Sequence, residues 1–166
     1  MYAVGDYIVH PGQGVCQVKD VTESPNALYQ LLPVGQRHPV HISFPVASEG
    51  RLRPVLTRDE AEKIIDDYPR MQLDDFAARS ISLEEEHFRN EIRTGTCRDS
   101  VRIVKTFRAR IEDLSQRNKK PPVAYERILK QAEERSRLEM SVALGCAPED
   151  VAALFERGSG DVAAQN

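Results

Sequence analysis

The stretch Tyr7-Ile-Val-His-Pro-Gly-Gln-Gly-Val-Cys-Gln-Val18 decides how the beginning of this chain folds. Two short runs rich in β-branched and aromatic residues flank Pro11-Gly12-Gln13-Gly14. Pro11 presets φ and Gly12 can supply a positive φ, so a tight turn between two strands has a mechanism. Similar runs follow: Val15 through Val21, Leu28-Tyr-Gln-Leu-Leu32 and Val40-His-Ile-Ser-Phe44. Turn residues separate them at Ser24-Pro25-Asn26 and between Pro33 and Pro39. Four or five short strands in about 55 residues predict a small, curled antiparallel barrel.

The pattern changes at Thr57. Thr57-Arg-Asp-Glu60 reads as a capping box, with Ala61, Ile64 and Ile65 following at helical spacing. Tyr68-Pro69 ends that helix, because the residue before proline is pushed out of the α region. Residues 69–81 read as irregular linker. A helix opens at Ser82-Leu-Glu-Glu and runs toward Arg93, before Gly95. A second spans about Arg98 to Arg117. A third starts after Pro121-Pro122, buries Tyr125, Ile128, Leu129, Ala132, Met140 and Ala143, and stops at Gly145. Pro148-Glu-Asp signals a short fourth before Val151, Leu154 and Phe155. The expected class is α+β: a β module over 1–56, a connecting helix and linker over 57–81, a helical domain over 82–157 and a disordered tail over 158–166.

Composition excludes several functions. No run of about 18 apolar residues is present, so no membrane partner is expected. The N-terminus lacks a basic stretch followed by an apolar segment, so no secretory signal is expected and the cytoplasm is the default. Cys16, Cys97 and Cys146 are scattered and odd in number, which speaks against a disulfide framework or zinc site. His10, His38, His41 and His87 form no ligand motif, and His38 and His41 would face opposite sides of a strand. Pro11-Gly-Gln-Gly14 lacks the Lys-Ser/Thr and helix of a phosphate loop. The acids Asp66-Asp67, Asp74-Asp75 and Glu84-Glu85-Glu86 sit at helix ends and in the linker, where solvated carboxylates are usual. No cofactor, small-molecule substrate or catalytic constellation is expected, and the protein is read as not an enzyme.

The net charge of −3 is unevenly distributed. Residues 1–56 are neutral, 57–94 carry −5, 98–120 carry +5 and 121–166 carry −3. On a wheel of the basic helix, Ile103, Val104, Phe107, Ile111 and Leu114 share one side. Arg98, Arg102 and Lys105 lie opposite, flanked by Arg108, with Arg117, Lys119 and Lys120 at the end. Such a helix can lie along a phosphate backbone without reading sequence. The acidic helix of residues 82–93 can alternatively neutralise the stripe within the fold.

Val4-Gly-Asp-Tyr-Ile-Val-His-Pro-Gly-Gln-Gly-Val-Cys-Gln-Val18 resembles the opening of the CarD/CdnL family of bacterial transcription regulators. Ile42-Ser-Phe-Pro-Val46 and Arg51-Leu-Arg-Pro-Val55 resemble that family's closing strands. Val101-Arg-Ile-Val-Lys-Thr106, Tyr125-Glu-Arg-Ile-Leu-Lys-Gln-Ala-Glu133 and Glu139-Met-Ser-Val-Ala-Leu-Gly145 resemble the helical domain of its Firmicutes-type members. The resemblance covers roughly residues 1–156. It implies an N-terminal Tudor-like barrel, shared with the polymerase-interacting domain of the transcription-repair coupling factor. That module would dock on the RNA polymerase β subunit by strand-edge pairing. Val40, Ile42 and Phe44 would point to the core, His41 and Ser43 to the partner, with Arg51 and Arg53 nearby. The helical domain would contact promoter DNA through Arg98, Arg102, Lys105, Arg108, Lys119 and Lys120, modulating open-complex stability. Two departures stand out. Ser43 occupies a position that is basic in some members. The chain also has no Trp to serve as the wedge that some members insert, leaving Phe76 as an aromatic substitute or, alternatively, a packing residue. A protein–protein adaptor with no direct DNA binding is the alternative function.

Overall fold

The computed structural model describes residues 1–23 and 25–163. It divides into two compact units, Met1–Thr57 and Arg58–Asn166.

The first unit contains β1 (Tyr7–His10), β2 (Gly14–Thr22), β3 (Leu28–Pro33), β4 (Ile42–Pro45) and β5 (Arg53–Pro54). They form one antiparallel sheet in the order β4-β3-β2-β1-β5. The sheet is not closed: β4 and β5 are its two edges, whereas the sequence predicts a barrel. The β1–β2 turn is tied by His10, whose Nδ1 accepts from the backbone N–H groups of Gly12 (3.0 Å) and Gln13 (3.2 Å). Gly14 then opens β2 at φ +74°, a conformation costly for side chains with a Cβ. A register shift between Val18 and Asp20 bends β2.

Ile8, Cys16, Val18, Tyr29, Leu31, Phe44 and Leu52 form this unit's core. Tyr29 is wholly buried, and its hydroxyl stays satisfied by donating to Glu49 (2.6 Å) and accepting from the Tyr2 N–H (2.9 Å). Phe44 is buried and Ile42 packs against the core as expected, but Val40 does not: it precedes the strand and is 73% exposed.

The second unit contains α1 (Arg58–Asp67), α2 (Ile81–Thr94), α3 (Cys97–Gln116), α4 (Val123–Leu144) and α5 (Pro148–Ala163). The N-cap of α2 is Ser80, accepting from the Leu83 N–H, so the helix starts earlier than Ser82. Thr96 and Asp99 form a reciprocal capping box on α3. A Cβ on Gly95 would lie 2.6 Å from the Glu91 carbonyl oxygen, so only glycine permits the tight α2–α3 passage. Gly145, at φ +68°, ends α4 in the left-handed cap. Helix α5 runs to Ala163, past residue 158 where the sequence predicts a disordered tail; residues 164–166 of that tail lie outside the described residues.

The core of the helical unit joins Phe88 and Ile92 of α2, Ile103, Val104 and Phe107 of α3, and Ile128 and Ala132 of α4. Phe107 sits at its centre, edge-on to Phe88 (4.8 Å) and Tyr125 (5.1 Å). Phe107→Ala should cost about 3–5 kcal/mol through lost burial and a residual cavity. Urea unfolding of the full chain, followed by helical circular dichroism, measures it; a loss below about 1 kcal/mol, well under that range, would show that the core closes over the gap.

Candidate functional site

Each unit offers one candidate surface. In the first it is the open edge of β4. The Val46 N–H donates to the Ala27 carbonyl at 3.0 Å, in register with the pairs Phe44–Tyr29 and Ile42–Leu31. Hydrogen-bonded pairs alternate along an antiparallel ladder. Phe44 and Ile42 therefore turn their backbone groups inward to β3, while Ser43 and Pro45 turn theirs to the open edge. Pro45 has no N–H, so within β4 Ser43 alone presents both an outward donor and an outward acceptor. Its side chain is on the solvent face, where Oγ donates to Gln30 Oε1 (3.0 Å). His41 is exposed just before the strand.

Arg51 and Arg53 do not join this edge. Arg51 is exposed at the end of the 3-10 turn Val46–Arg51. Arg53 lies in β5, on the opposite edge of the ladder, paired with Val9 of β1. Its Nη1 donates to the Pro54 carbonyl at 3.3 Å. Ser43 thus lies in β4 with His41 just before it, Arg51 in the turn that follows and Arg53 in β5.

In the helical unit the residues of the expected cationic stripe are ion-paired or hydrogen-bonded within the fold. Residues 68–78 form a strap along α3; the strap opens with a 3-10 turn at Tyr68–Arg70 and continues as irregular backbone in the segment expected as linker from residue 69. Lys105 Nζ donates to the carbonyls of Tyr68 (2.8 Å), Pro69 (3.1 Å) and Met71 (2.7 Å). Thr106 Oγ1 accepts from the Asp74 N–H (2.9 Å), and Arg110 Nη2 donates to the carbonyls of Asp74 (3.2 Å) and Phe76 (2.7 Å). Glu84 accepts from the Ala78 N–H (3.2 Å). Irregular backbone lacks ladder partners, and these side chains supply them. Phe76 packs flat on His87 (3.6 Å) and edge-on to Phe88 (5.7 Å), so it is a packing residue.

The arginines are paired. Arg98 donates to Asp67 (2.8 Å). Arg102 is held by Glu91, by Asp99 (3.0 Å) and at longer range by Asp74 (3.7 Å). Arg108 donates through Nε and Nη2 to Glu133 Oε1 (3.2 and 2.8 Å). The hydrogen bond from Arg98 holds the Asp67 carboxyl below its ordinary value, and that from Arg127 does the same for Glu85. Burial pushes the Glu91 carboxyl up and the Lys105 ammonium down. Of the expected DNA-contacting residues, Lys119 and Lys120 are exposed in the loop after α3, and Arg98 and Arg108 keep 41% and 43% of their side chains exposed despite their ion pairs. The acidic partners come from α1, the strap, α2, α3 and α4, rather than from the acidic helix alone.

Exposed apolar side chains gather near that loop. Arg127 of α4 forms a two-pronged contact with Glu85 of α2 (both 2.9 Å), and the Tyr125 hydroxyl donates to Glu84 (3.0 Å). The starts of α2 and α4 therefore lie side by side, with Ile81 (41% exposed), Leu83 (41%) and Val123 (57%) uncovered. Sequence periodicity missed this end because helix starts carry no strong stripe signal.

Among the described residues no cluster of three His, Cys, Asp or Glu side chains could hold a metal ion. No helix is long and apolar enough to cross a membrane. Residues 2–56 match the model of the CarD-like/TRCF RID domain. The first unit is a domain of that family, so the chain carries an RNA-polymerase-interacting module and is a transcription-related protein. A comparison of the chain with curated proteins gave no match.

Lys105→Met would take the Lys105 donor from the Pro69 and Met71 carbonyls, costing about 1–3 kcal/mol. Hydrogen exchange should then accelerate at the amides of residues 71–78; unchanged protection would mean the strap is held by other contacts. The acid response follows from Asp67 and Glu85, whose lowered values mean that the unfolded chain binds their protons first. Their contribution is present above the ordinary carboxylate range of about 4 and is lost as pH falls through the folded values. A Asp67→Asn, Glu85→Gln double variant should be less stable than the parent at pH 7 and converge with it in acid, as read from urea midpoints against pH.

Proposed function

We propose that this protein is a transcription regulator that docks on the RNA polymerase β subunit through the β4 edge and contacts promoter DNA through the helical unit, modulating open-complex stability. The observation that carries the reading is the RID-domain match over residues 2–56 together with an open strand edge in that domain. A partner strand would pair with the Ser43 N–H and carbonyl, with His41 beside it, and Pro45 would limit how far the added strand extends. The accompanying fold reading is a Tudor-like curl of the five-stranded sheet. The protein would act in the cytoplasm, without a cofactor and without catalysing a reaction.

DNA contact is assigned to the end of the helical unit that bears Lys119 and Lys120. Two lysines with no carboxylate within ion-pair distance among the described residues can neutralise phosphates. Ile81, Leu83 and Val123 add apolar surface of the kind that supports a distorted duplex step. Arg98, Arg102, Lys105 and Arg108 act instead as internal ties. The same ion pairing favours a second reading, a protein–protein adaptor with no DNA contact.

Binding of the full chain to the purified β lobe, and to polymerase on fork-junction promoter DNA across a salt series, separates these readings. Ser43→Pro, which removes the outward N–H, should weaken lobe binding at least tenfold. Lys119→Ala with Lys120→Ala should lower the salt slope of the DNA complex by about two, roughly one per phosphate contact. If DNA adds no salt-sensitive affinity, the adaptor reading replaces the DNA one. If the lobe does not bind, the docking edge is refuted.

A further inference from the structure

The helical unit contains a cleft of about 280 Å³, lined by Tyr68 and by residues of α3, α4 and α5. Val101, Val104, Ala152 and Phe155 form its apolar wall, and the Phe155 ring meets Tyr68 edge-on at 5.0 Å. Four charged residues, Arg108, Glu133, Arg137 and Glu156, complete the lining.

These charges are not equivalent. Arg108 is committed, with Nε and Nη2 both on Glu133 Oε1. The Ser136 hydroxyl is likewise committed to its own helix, donating to the Ala132 carbonyl at 2.7 Å. Arg137 differs. Its side chain is 33% exposed, and its nearest carboxylate oxygen, Glu133 Oε2, is 3.7 Å away, beyond hydrogen-bond distance. Glu133 is thus shared by two guanidiniums, and the N–H fork of Arg137 has no hydrogen-bonded acceptor among the described residues. A half-buried guanidinium beside an apolar wall suits a carboxylate, whose two oxygens match its fork. The exposed Glu156 carboxylate would oppose a second negative charge. The volume lies just under the roughly 300 Å³ at which drug-sized pockets begin, which limits the occupant to a small molecule.

We infer that this cleft binds a small apolar monocarboxylate, an aryl or medium-chain alkyl acid. Its hydrocarbon part would lie on Val101, Val104, Ala152 and Phe155, and its carboxylate on Arg137. The site shares no residue with the surfaces assigned to polymerase and DNA, and such a ligand would join α3, α4 and α5 at one point.

The test uses 4-phenylbutyrate, its neutral analogue 4-phenylbutanol and the cationic 4-phenylbutylamine, titrated into the full isotope-labelled chain at pH 7. The acid should saturate at sub-millimolar concentration with shifts centred on residues 101, 104 and 152, and bind at least tenfold more tightly than the alcohol or the amine. Arg137→Gln should weaken the acid at least tenfold while leaving the alcohol unchanged. Ala152→Leu, which fills the apolar wall, should abolish binding, and thermal unfolding of both variants establishes that they are folded. Equal binding of acid and alcohol, absence of saturation, or undiminished binding by folded Arg137→Gln would overturn the assignment.

Discussion

The contact on which the helical unit depends is the ammonium of Lys105 set among the carbonyls of Tyr68, Pro69 and Met71. A stretch of backbone without regular structure can be packed against a helix only if its polar groups find partners. Lys105 supplies donors at one end of the strap, Thr106 and Arg110 serve its middle, and Glu84 serves its far end. One side of α3 thereby becomes interior, although its residue types mark it as surface. The aliphatic stem of a lysine and the planar face of an arginine tolerate this; Arg110 lies over the rings of Phe107 (4.9 Å) and Phe88 (5.5 Å).

That packing redistributes charge. The segment before α3 is strongly acidic and α3 itself strongly basic, and the fold brings Asp67, Asp74 and Glu91 onto Arg98 and Arg102. What reaches the solvent is a largely balanced surface with lysines in the loop after α3. Lys119 and Lys120 stand in that loop next to apolar side chains left uncovered at the starts of α2 and α4.

The β unit follows a different logic. Its sheet leaves two edges, and a proline stands in each: Pro45 in β4 and Pro54 in β5. Proline interrupts the donors of an edge strand and so restricts unspecific strand addition. On β4 this leaves Ser43 with both an outward N–H and an outward carbonyl.

Much of this was legible in the sequence, because the signals are local. The β1–β2 turn, the order of strands, the order of helices and the stop at Gly145 follow from turn residues, β-branched runs and helical spacing. Helix starts were displaced where a competing cap existed, as with Ser80 before Ser82. The expectation that Val40 faces the core failed because strand alternation holds only within a strand, and β4 begins at Ile42. Arg51 and Arg53, expected near Ser43, lie in the turn after β4 and in β5, because the chain leaves the ladder at Pro45 and rejoins the sheet beside β1. The sequence by itself determined the division into a β module and a helical module, with the polymerase-interacting character of the first. The tertiary structure alone decided which charges are paired: a helical wheel shows which residues share a side, but only packing determines what meets that side, and here the strap carbonyls meet Lys105 while acids from α1, α2, α3 and α4 meet the arginines.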